Sequence, residues 1–86
     1  MDYKFHFGNG ILYLEFKIPL QSTTIEEAIK DIRESFPNTN FEIVAYKNII
    51  GYWEAYHLKT NTSIYCGSMS LKDTREKIKK YLENEK

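Results

Sequence analysis

The sequence predicts an α+β protein: a two-layer sandwich with the element order β-β-α-β-β-β-α, in which a mainly antiparallel sheet carries both helices on one face. Three observations lead to this expectation. Aromatic residues make up 15% of the 86-residue chain, a composition typical of strands. Apolar and polar residues alternate along several segments, and two other segments show helical periodicity. No linker-like stretch divides the chain, so residues 1–86 are expected to form a single domain.

The first predicted element is a β-hairpin. Aromatic and polar residues alternate before Asn9-Gly10, and aliphatic and polar residues alternate after it. Asn-Gly is the preferred pair for a two-residue type I′ turn, and this turn fixes the register of the two strands. In that register Phe7 faces Leu12 and Lys4 faces Glu15, so apolar and oppositely charged side chains meet their partners.

A helix is predicted over about residues 24 to 36. Ser22 to Thr24, followed by Glu26 and Glu27, is typical of a capping box with carboxylates in the first helical turn. Apolar residues then recur at helical spacing on one side: Ile25, Ala28, Ile29, Ile32 and Phe36. Pro37 ends the pattern, because proline cannot continue the hydrogen bonding of a helix.

The second half of the chain predicts three antiparallel strands and a second helix. The strands are expected over residues 41–46, 52–59 and 63–66, with turns at 47–51 and 60–62. Ser70, with Asp73 three residues later, marks the start of the helix. Its apolar stripe is Leu71, Thr74, Ile78, Tyr81 and Leu82. How the first hairpin joins these strands stays open, since a crossover through the first helix brings the third strand beside either hairpin strand.

Period-two alternation divides the strand residues between two faces of the sheet. The apolar set is expected beneath the helices: Phe5, Phe7, Leu12, Leu14, Phe16, Phe41, Ile43, Ala45, Trp53, Ala55, Ile64 and Cys66. The opposite set contains five of the seven tyrosines and supplies the predicted partner-binding residues: Tyr13, Glu15, Glu42, Tyr46, Tyr52, Glu54, Tyr56 and Tyr65. Tyrosine provides rigid, amphipathic contact area and is enriched at protein interfaces. The competing interpretation is an ordinary solvated face, because tyrosine also has high strand propensity.

Basic residues of the last helix give an alternative site. The whole chain is neutral, with 12 Lys and Arg against 12 Asp and Glu, so its bulk charge indicates no nucleic-acid partner. Lys72, Arg75 and Lys79 are nevertheless candidate contacts for nucleic acid. Acidic residues are interleaved with them, and this pattern is also typical of a solvated helix face.

The sequence contains little that points to catalysis. A turn at 61–62 would place His57 across from Cys66, but no oxyanion-hole motif or third orienting group accompanies the pair. No residues show metal-ligand spacing, so we expect no enzyme activity, no cofactor and no metal. The single cysteine and the lack of an apolar N-terminal run favour a cytoplasmic protein with no membrane partner.

Several stretches of the second half resemble known families. Residues 51–56 (GYWEAY), 59–61 (KTN), 65–68 (YCGS) and 70–78 (SLKDTREKI) resemble the βββα units of small phage-encoded proteins, and more distantly AP2-type and integrase arm-binding domains. The α-β-β-β-α order also resembles a double-stranded RNA-binding domain. The DNA-binding families carry Arg and Lys along the sheet, where this chain has Glu54, Tyr56 and Tyr65, so their DNA contacts are not implied.

The resemblance and the tyrosine face together give the expected function. The leading hypothesis is a non-enzymatic protein-binding module, most concretely a phage or mobile-element inhibitor that docks a host or defence protein, as anti-CRISPR proteins do. The same face could instead close a homodimer. The alternative is a nucleic-acid-binding module that uses the basic last helix. No small-molecule substrate is indicated.

Overall fold

The computed structural model describes residues 3–17, 22–48, 50–64, 67 and 70–84. Its elements are β1 (Tyr3–Gly8), β2 (Ile11–Phe16), α1 (Ser22–Ser35), β3 (Ile43–Lys47), β4 (Trp53–His57), β5 (Thr62–Ser63) and α2 (Leu71–Asn84). The α+β class and the order β-β-α-β-β-β-α are therefore confirmed. α1 begins earlier than predicted and its first turn contains no acidic residue, so Glu26 and Glu27 lie beyond the turn in which they were expected.

The N-terminal hairpin has the predicted register. Phe7 lies opposite Leu12, and Lys4 lies opposite Glu15. Asn9 and Gly10 have φ values of 53° and 78°. Both central turn residues thus occupy the left-handed region that a type I′ turn requires, which asparagine and glycine tolerate best.

β3 lies beside β2, which settles how the two halves of the chain are joined. The five strands are arranged in chain order, from β1 to β5. The β2–β3 pair is parallel and the other three pairs are antiparallel. α1 forms the crossover connection that a parallel pair requires, because the chain must return to the same end of the sheet.

The two helices lie on opposite faces of the sheet. One buried cluster joins Ala28 and Ile32 of α1 to strand residues Leu12, Leu14, Phe16, Val44 and Tyr46. The other joins Ile78 of α2 to strand residues Ile11, Tyr13, Ile43, Ala45, Trp53 and Ala55. These sides of the sheet are called the α1 face and the α2 face below. The predicted two-layer arrangement with both helices on one face is wrong, and the structure has three layers.

The parallel register explains this difference. Leu12 of β2 lies beside Val44 of β3, and Tyr13 lies beside Ala45. The predicted apolar face instead grouped Leu12 with Ala45. Alternation assigns the faces correctly within the β1–β2 hairpin and within the β3–β4 hairpin. Which face of one hairpin continues into which face of the other depends on the register in which the crossover places β3 beside β2. Because helices cover both sides, β2 and β3 are buried on both of their faces.

The two helices cover different strands on the two sides of the sheet. On the α2 face, Lys4 and His6 of β1 are exposed, whereas the side chains of β1 on the α1 face are partly buried. β4 shows the reverse, since its α2-face side chains are buried and Glu54 and Tyr56 on the α1 face are partly exposed. Each of these strands therefore leaves one face incompletely covered, and the two open areas lie on opposite sides of the sheet.

The β3–β4 connection differs from the prediction by two residues. A turn confined to the predicted residues 47–51 would pair Tyr46 with Tyr52, whereas the structure pairs Tyr46 with Glu54 and Lys47 with Trp53. Asn48 determines the turn: its side-chain oxygen accepts hydrogen bonds of 3.0 to 3.1 Å from the backbone N–H groups of residues 50, 51 and 52. This arrangement is an Asx-type turn, and it adds to the backbone hydrogen bonds of the loop, in which the Gly51 N–H donates to the Asn48 carbonyl and the Asn48 N–H donates to the Tyr52 carbonyl.

α2 begins where the capping signal predicted. The backbone N–H of Asp73 donates to the Ser70 hydroxyl oxygen at 3.4 Å, and the Thr74 hydroxyl donates to the Ser70 carbonyl at 3.0 Å. Thr74 and Ile78 are the buried residues of this helix. Both described helices have 14 residues, and neither is long and apolar enough to cross a bilayer.

Candidate functional site

The predicted tyrosine and glutamate residues do not share one open face. Tyr13 is buried beneath α2, with only 3% of its surface exposed. Tyr46 is equally buried on the α1 face, where Glu54 and Tyr56 are partly exposed beside it. Glu15, Glu42 and Tyr52 occupy separate positions in β2, before β3 and in the β3–β4 loop, and Tyr65 lies outside the described residues.

Three of the predicted residues form a hydrogen-bonded cluster. Tyr46 donates its phenolic hydrogen to a carboxylate oxygen of Glu54, which lies directly opposite it on β4. The Tyr46 and Tyr56 hydroxyl oxygens are 3.1 Å apart, and because the Tyr46 hydrogen points at the carboxylate, Tyr56 is the donor in this contact. The two rings stack, with centroids 5.6 Å apart and planes inclined by 14°.

The protonation of Tyr46 keeps this cluster together. Burial, followed by the hydrogen bond to Glu54, raises the pKa of Tyr46 far above its ordinary value. The phenol therefore remains a hydrogen-bond donor throughout the neutral range. The Tyr46 ring also packs edge-on against Phe16, with centroids 6.3 Å apart, and this core contact fixes the position of the Tyr46 hydroxyl.

The cluster lies in the open area of β4 on the α1 face. Glu54 and Tyr56 are partly exposed at the surface of this area, and Leu58 packs against the same apolar cluster just beyond the end of the strand. Ile29 on the flank of α1 also packs there. We call Glu54, Tyr56 and Leu58 the β4 strip. The β4 strip combines a carboxylate that Tyr46 holds in place, a tyrosine ring and an apolar side chain.

The second open area, on the α2 face of β1, is basic. Arg75 and Lys79 of α2 line a groove of about 520 Å³ against the turn of the first hairpin. The guanidinium carbon of Arg75 lies 5.3 Å from the ring centroid of Tyr13, and the His6 ring stacks on the same tyrosine at 4.7 Å. Lys72, the third predicted nucleic-acid contact, is exposed but does not line this groove.

His57 has a different environment from the one predicted. Thr62 lies opposite it in the β4–β5 pair, and Cys66 lies outside the described residues. The His57 Nδ1 atom is 2.8 Å from the Tyr81 hydroxyl of α2. Nε2 is buried without a hydrogen-bond partner, 3.8 Å from a carboxylate oxygen of Glu42. The tautomer with hydrogen on Nε2 directs it towards this carboxylate and lets Nδ1 accept from Tyr81.

Among the described residues, no group of three or more His, Cys, Asp and Glu side chains could hold a metal ion. Within the part of the chain that the structure describes, one open groove lies along α1, and the others lie where a helix meets strand or turn residues of the sheet.

Sequence reasoning missed one surface. Phe36 was assigned to the buried stripe of the first helix, but α1 ends at Ser35 and the Phe36 side chain is 45% exposed. It lies beside Phe5 and Phe7 of β1, with ring centroids 5.7 and 6.2 Å away. Its position directly before Pro37 was the available signal, because a residue in that position tends to leave the helical conformation.

No protein-family model matches this chain, and neither a curated protein nor a solved structure matches it. The likeness of residues 51–78 to phage βββα units therefore stays a prediction.

Proposed function

We propose that this protein is a small, non-enzymatic protein-binding module that docks its partner through the β4 strip. The observation that carries the proposal is the Tyr46–Glu54–Tyr56 cluster, in which a buried phenol holds a partly exposed carboxylate and stacks on a partly exposed ring. Side chains fixed in this way lose little conformational entropy when a partner covers them.

The chemistry of the β4 strip indicates what the partner presents. Tyrosine contributes large contact area and a polar hydroxyl, as it does at many protein interfaces. Glu54 favours a partner with an Arg or Lys side chain opposite it, because the carboxylate is already oriented. Leu58 adds apolar area. The expected partner surface is therefore apolar with at least one basic residue.

The biological setting of this proposal comes from the sequence. The likeness of the second half to phage-encoded proteins favours a mobile-element inhibitor that blocks a host or defence protein. Such a protein acts by stoichiometric binding and needs no catalytic group. The single cysteine favours a cytoplasmic location, where thiols remain reduced.

Affinity capture with matched variants tests the β4 strip. The tagged protein is used to capture its partner from lysate of the native host, in parallel with Tyr56→Ala and Glu54→Lys. Both variants should reduce recovery of the partner at least tenfold while retaining a cooperative unfolding transition. Tyr52→Ala is the control, since Tyr52 is a more exposed tyrosine outside the β4 strip, in the β3–β4 loop, with 42% of its surface exposed. Undiminished recovery with Tyr56→Ala would contradict the proposal.

A homodimer is a separate outcome of the same variants. Sedimentation of the purified protein over a range of concentrations would detect it. A dimer that Tyr56→Ala dissociates would mean that the β4 strip binds a second copy of the chain, with both copies contributing the same surface.

Nucleic-acid binding is a second candidate, supported by the position of Arg75 and Lys79. Both line the groove beside the first hairpin, and Lys4 and His6 lie on the same face of the sheet. A strand of nucleic acid could therefore contact cations from two elements. Tyr13 is too buried to stack with a base, and Glu83 also lines the groove, so phosphate contacts would supply most of the affinity.

A salt titration distinguishes this candidate. Binding of a fluorescent single-stranded oligonucleotide should weaken steeply as salt rises, and Arg75→Glu with Lys79→Glu should abolish it. Lys72→Glu is the matched control, because it makes the same charge change on the same helix outside the groove. Equal loss with Lys72→Glu would show only an effect of net charge.

A further inference from the structure

β1 leaves one edge of the sheet open. It is the first strand in the sheet order, and no other described strand pairs with its outer side. Its pairing with β2 is continuous over six residues, from Tyr3 opposite Phe16 to Gly8 opposite Ile11, so no bulge interrupts it. An edge of this length presents a row of backbone N–H and C=O groups that another extended chain can pair with.

An apolar groove runs beside this edge on the α1 face. It has a volume of about 640 Å³ and lies between β1 and the last turns of α1. Tyr3, Phe5, Ile32 and Phe36 form its apolar wall. The exposed ring of Phe36 meets the Phe5 ring edge-on. Side chains of a strand added to β1 would point into this groove at every second residue, because successive residues face opposite sides of a sheet.

Charge differs between the two sides of this edge. Asp31 and Glu34 lie at the groove on the α1 face. On the α2 face, β1 exposes Lys4 and His6. Oppositely charged side chains directly across two paired strands are favourable, and like charges are not. A strand that complements β1 therefore carries acidic residues towards the α2 face and apolar residues, flanked by basic ones, towards the α1 face.

We propose that the outer edge of β1 binds an extended segment of a partner protein in which acidic and apolar residues alternate. The backbone of the segment extends the sheet by one strand, and its apolar side chains occupy the groove beside Phe36. This surface lies at the opposite end of the sheet from the β4 strip, so the inference goes beyond the function proposed above.

A second copy of the chain fits this edge poorly. Antiparallel pairing of two β1 strands about Phe5 would set Lys4 of each copy opposite His6 of the other. Lys4 is a cation and His6 supplies no negative charge, so this pairing leaves both lysines without the acidic partner that favours a cross-strand contact. An exposed lysine within an edge strand is also a common means of preventing self-association.

Titration with three synthetic peptides tests the proposal. The probe is acetyl-Arg-Glu-Val-Glu-Val-Glu-Arg-amide, which places its glutamates on one face and its valines and arginines on the other. The scrambled peptide acetyl-Arg-Val-Val-Glu-Glu-Glu-Arg-amide has the same composition without alternation. The third peptide keeps the alternation of the probe and reverses every charge. The probe should bind at least tenfold more tightly than either control peptide. The changes that it causes in the amide chemical shifts of the protein should concentrate in β1 and at Phe36.

Two variants test the orientation of the bound segment. Phe36→Ala should weaken the probe at least fivefold, whereas Tyr52→Ala, which removes an aromatic ring of similar exposure at the other end of the sheet, should leave binding unchanged. Lys4→Glu combined with Glu15→Lys keeps the cross-strand charge pair. This double variant should reduce the preference for the probe over the charge-reversed peptide at least fivefold, while Asp31 and Glu34 still favour the arginines of the probe.

Three results would overturn the proposal. Equal affinity for the alternating and scrambled peptides would show that charge alone drives binding. Shift changes confined to β4 or α2 would place the peptide elsewhere. A concentration-dependent dimer that forms through β1 without peptide would show that a second copy occupies the edge. None of these measurements depends on the β4 strip, so failure here leaves the Tyr56 experiments unaffected.

Discussion

Tyr46 and Glu54 lie directly opposite each other on β3 and β4, and the buried phenol donates its hydrogen to the partly exposed carboxylate. This bond connects the core beneath α1 to the surface of the β4 strip. A carboxylate at the surface usually samples several rotamers, whereas this one is held by a group that cannot move without repacking the core. The contact therefore contributes to stability and also fixes the orientation of a residue proposed to bind a partner.

Removing the Tyr46 hydroxyl should lower the free energy of unfolding. Tyr46→Phe keeps the ring but deletes the hydrogen bonds with Glu54 and Tyr56, and we expect a loss of about 1 kcal/mol. Urea unfolding at neutral pH measures this change. Tyr52→Phe is the control, because its accessible hydroxyl remains hydrated in either state. Equal stability of the Tyr46→Phe and Tyr52→Phe variants would mean that the cluster adds nothing.

The raised pKa of Tyr46 predicts a specific alkaline dependence of stability. Burial and the hydrogen bond to Glu54 raise the pKa of this phenol in the folded protein above the unfolded value of about 10. Above about pH 10 the unfolded chain loses this proton while the folded protein retains it, so unfolding becomes more favourable. The contribution is complete below pH 10 and decreases as pH rises beyond it.

Comparing the protein with its Tyr46→Phe variant separates the contribution of Tyr46 ionisation from that of the other tyrosines and the lysines, which ionise in both proteins. The stability of the unsubstituted protein should fall more steeply than that of the variant between about pH 9 and 11. Urea midpoints at several pH values measure the two slopes. Parallel curves would contradict the assignment of a raised pKa to Tyr46.

The local elements were predictable because short-range patterns determine them. Asn9-Gly10 specifies one turn type, and the turn specifies which residues of β1 and β2 face each other. The helical stripe containing Ala28 and Ile32, and the capping signal at Ser70, likewise depend only on neighbouring residues. Each of these features appears in the structure.

The assignment of faces failed because it depends on long-range register. Leu12 could share a face with either Ile43 or Val44. Both are apolar, so hydrophobicity does not distinguish the two possible registers of β2 and β3. The same holds for the β3–β4 loop, where Asn48 lengthens the connection and brings Glu54, not Tyr52, opposite Tyr46. The predicted tyrosine face combined residues from both sides of the sheet, and only the part around Tyr46 remains together.

Asn48 should be necessary for the stability of the β3–β4 loop. Asn48→Ala removes an oxygen that accepts three backbone N–H groups, and we expect a loss of about 1 to 2 kcal/mol. Asn48→Asp retains an acceptor in the same position and should recover most of this loss. Urea unfolding of the two variants measures the difference. If both variants are equally destabilised, the acceptor oxygen is not the stabilising feature.

The three-layer arrangement predicts that the two helices contribute independently to the core. Ile32 of α1 is 2% exposed and Ile78 of α2 is 1% exposed, and they belong to separate buried clusters on opposite faces of the sheet. Each change to valine deletes one buried methyl group and should cost about 0.5 to 1.5 kcal/mol. Residues that share no packing partner give additive changes within about 0.5 kcal/mol, so Ile32→Val combined with Ile78→Val should equal the sum of the single losses.

Ile32→Val combined with Leu14→Ala, within one cluster, is the comparison in which deviation is expected. A large coupling energy between Ile32 and Ile78 would indicate that both side chains pack in one core, as the two-layer arrangement requires.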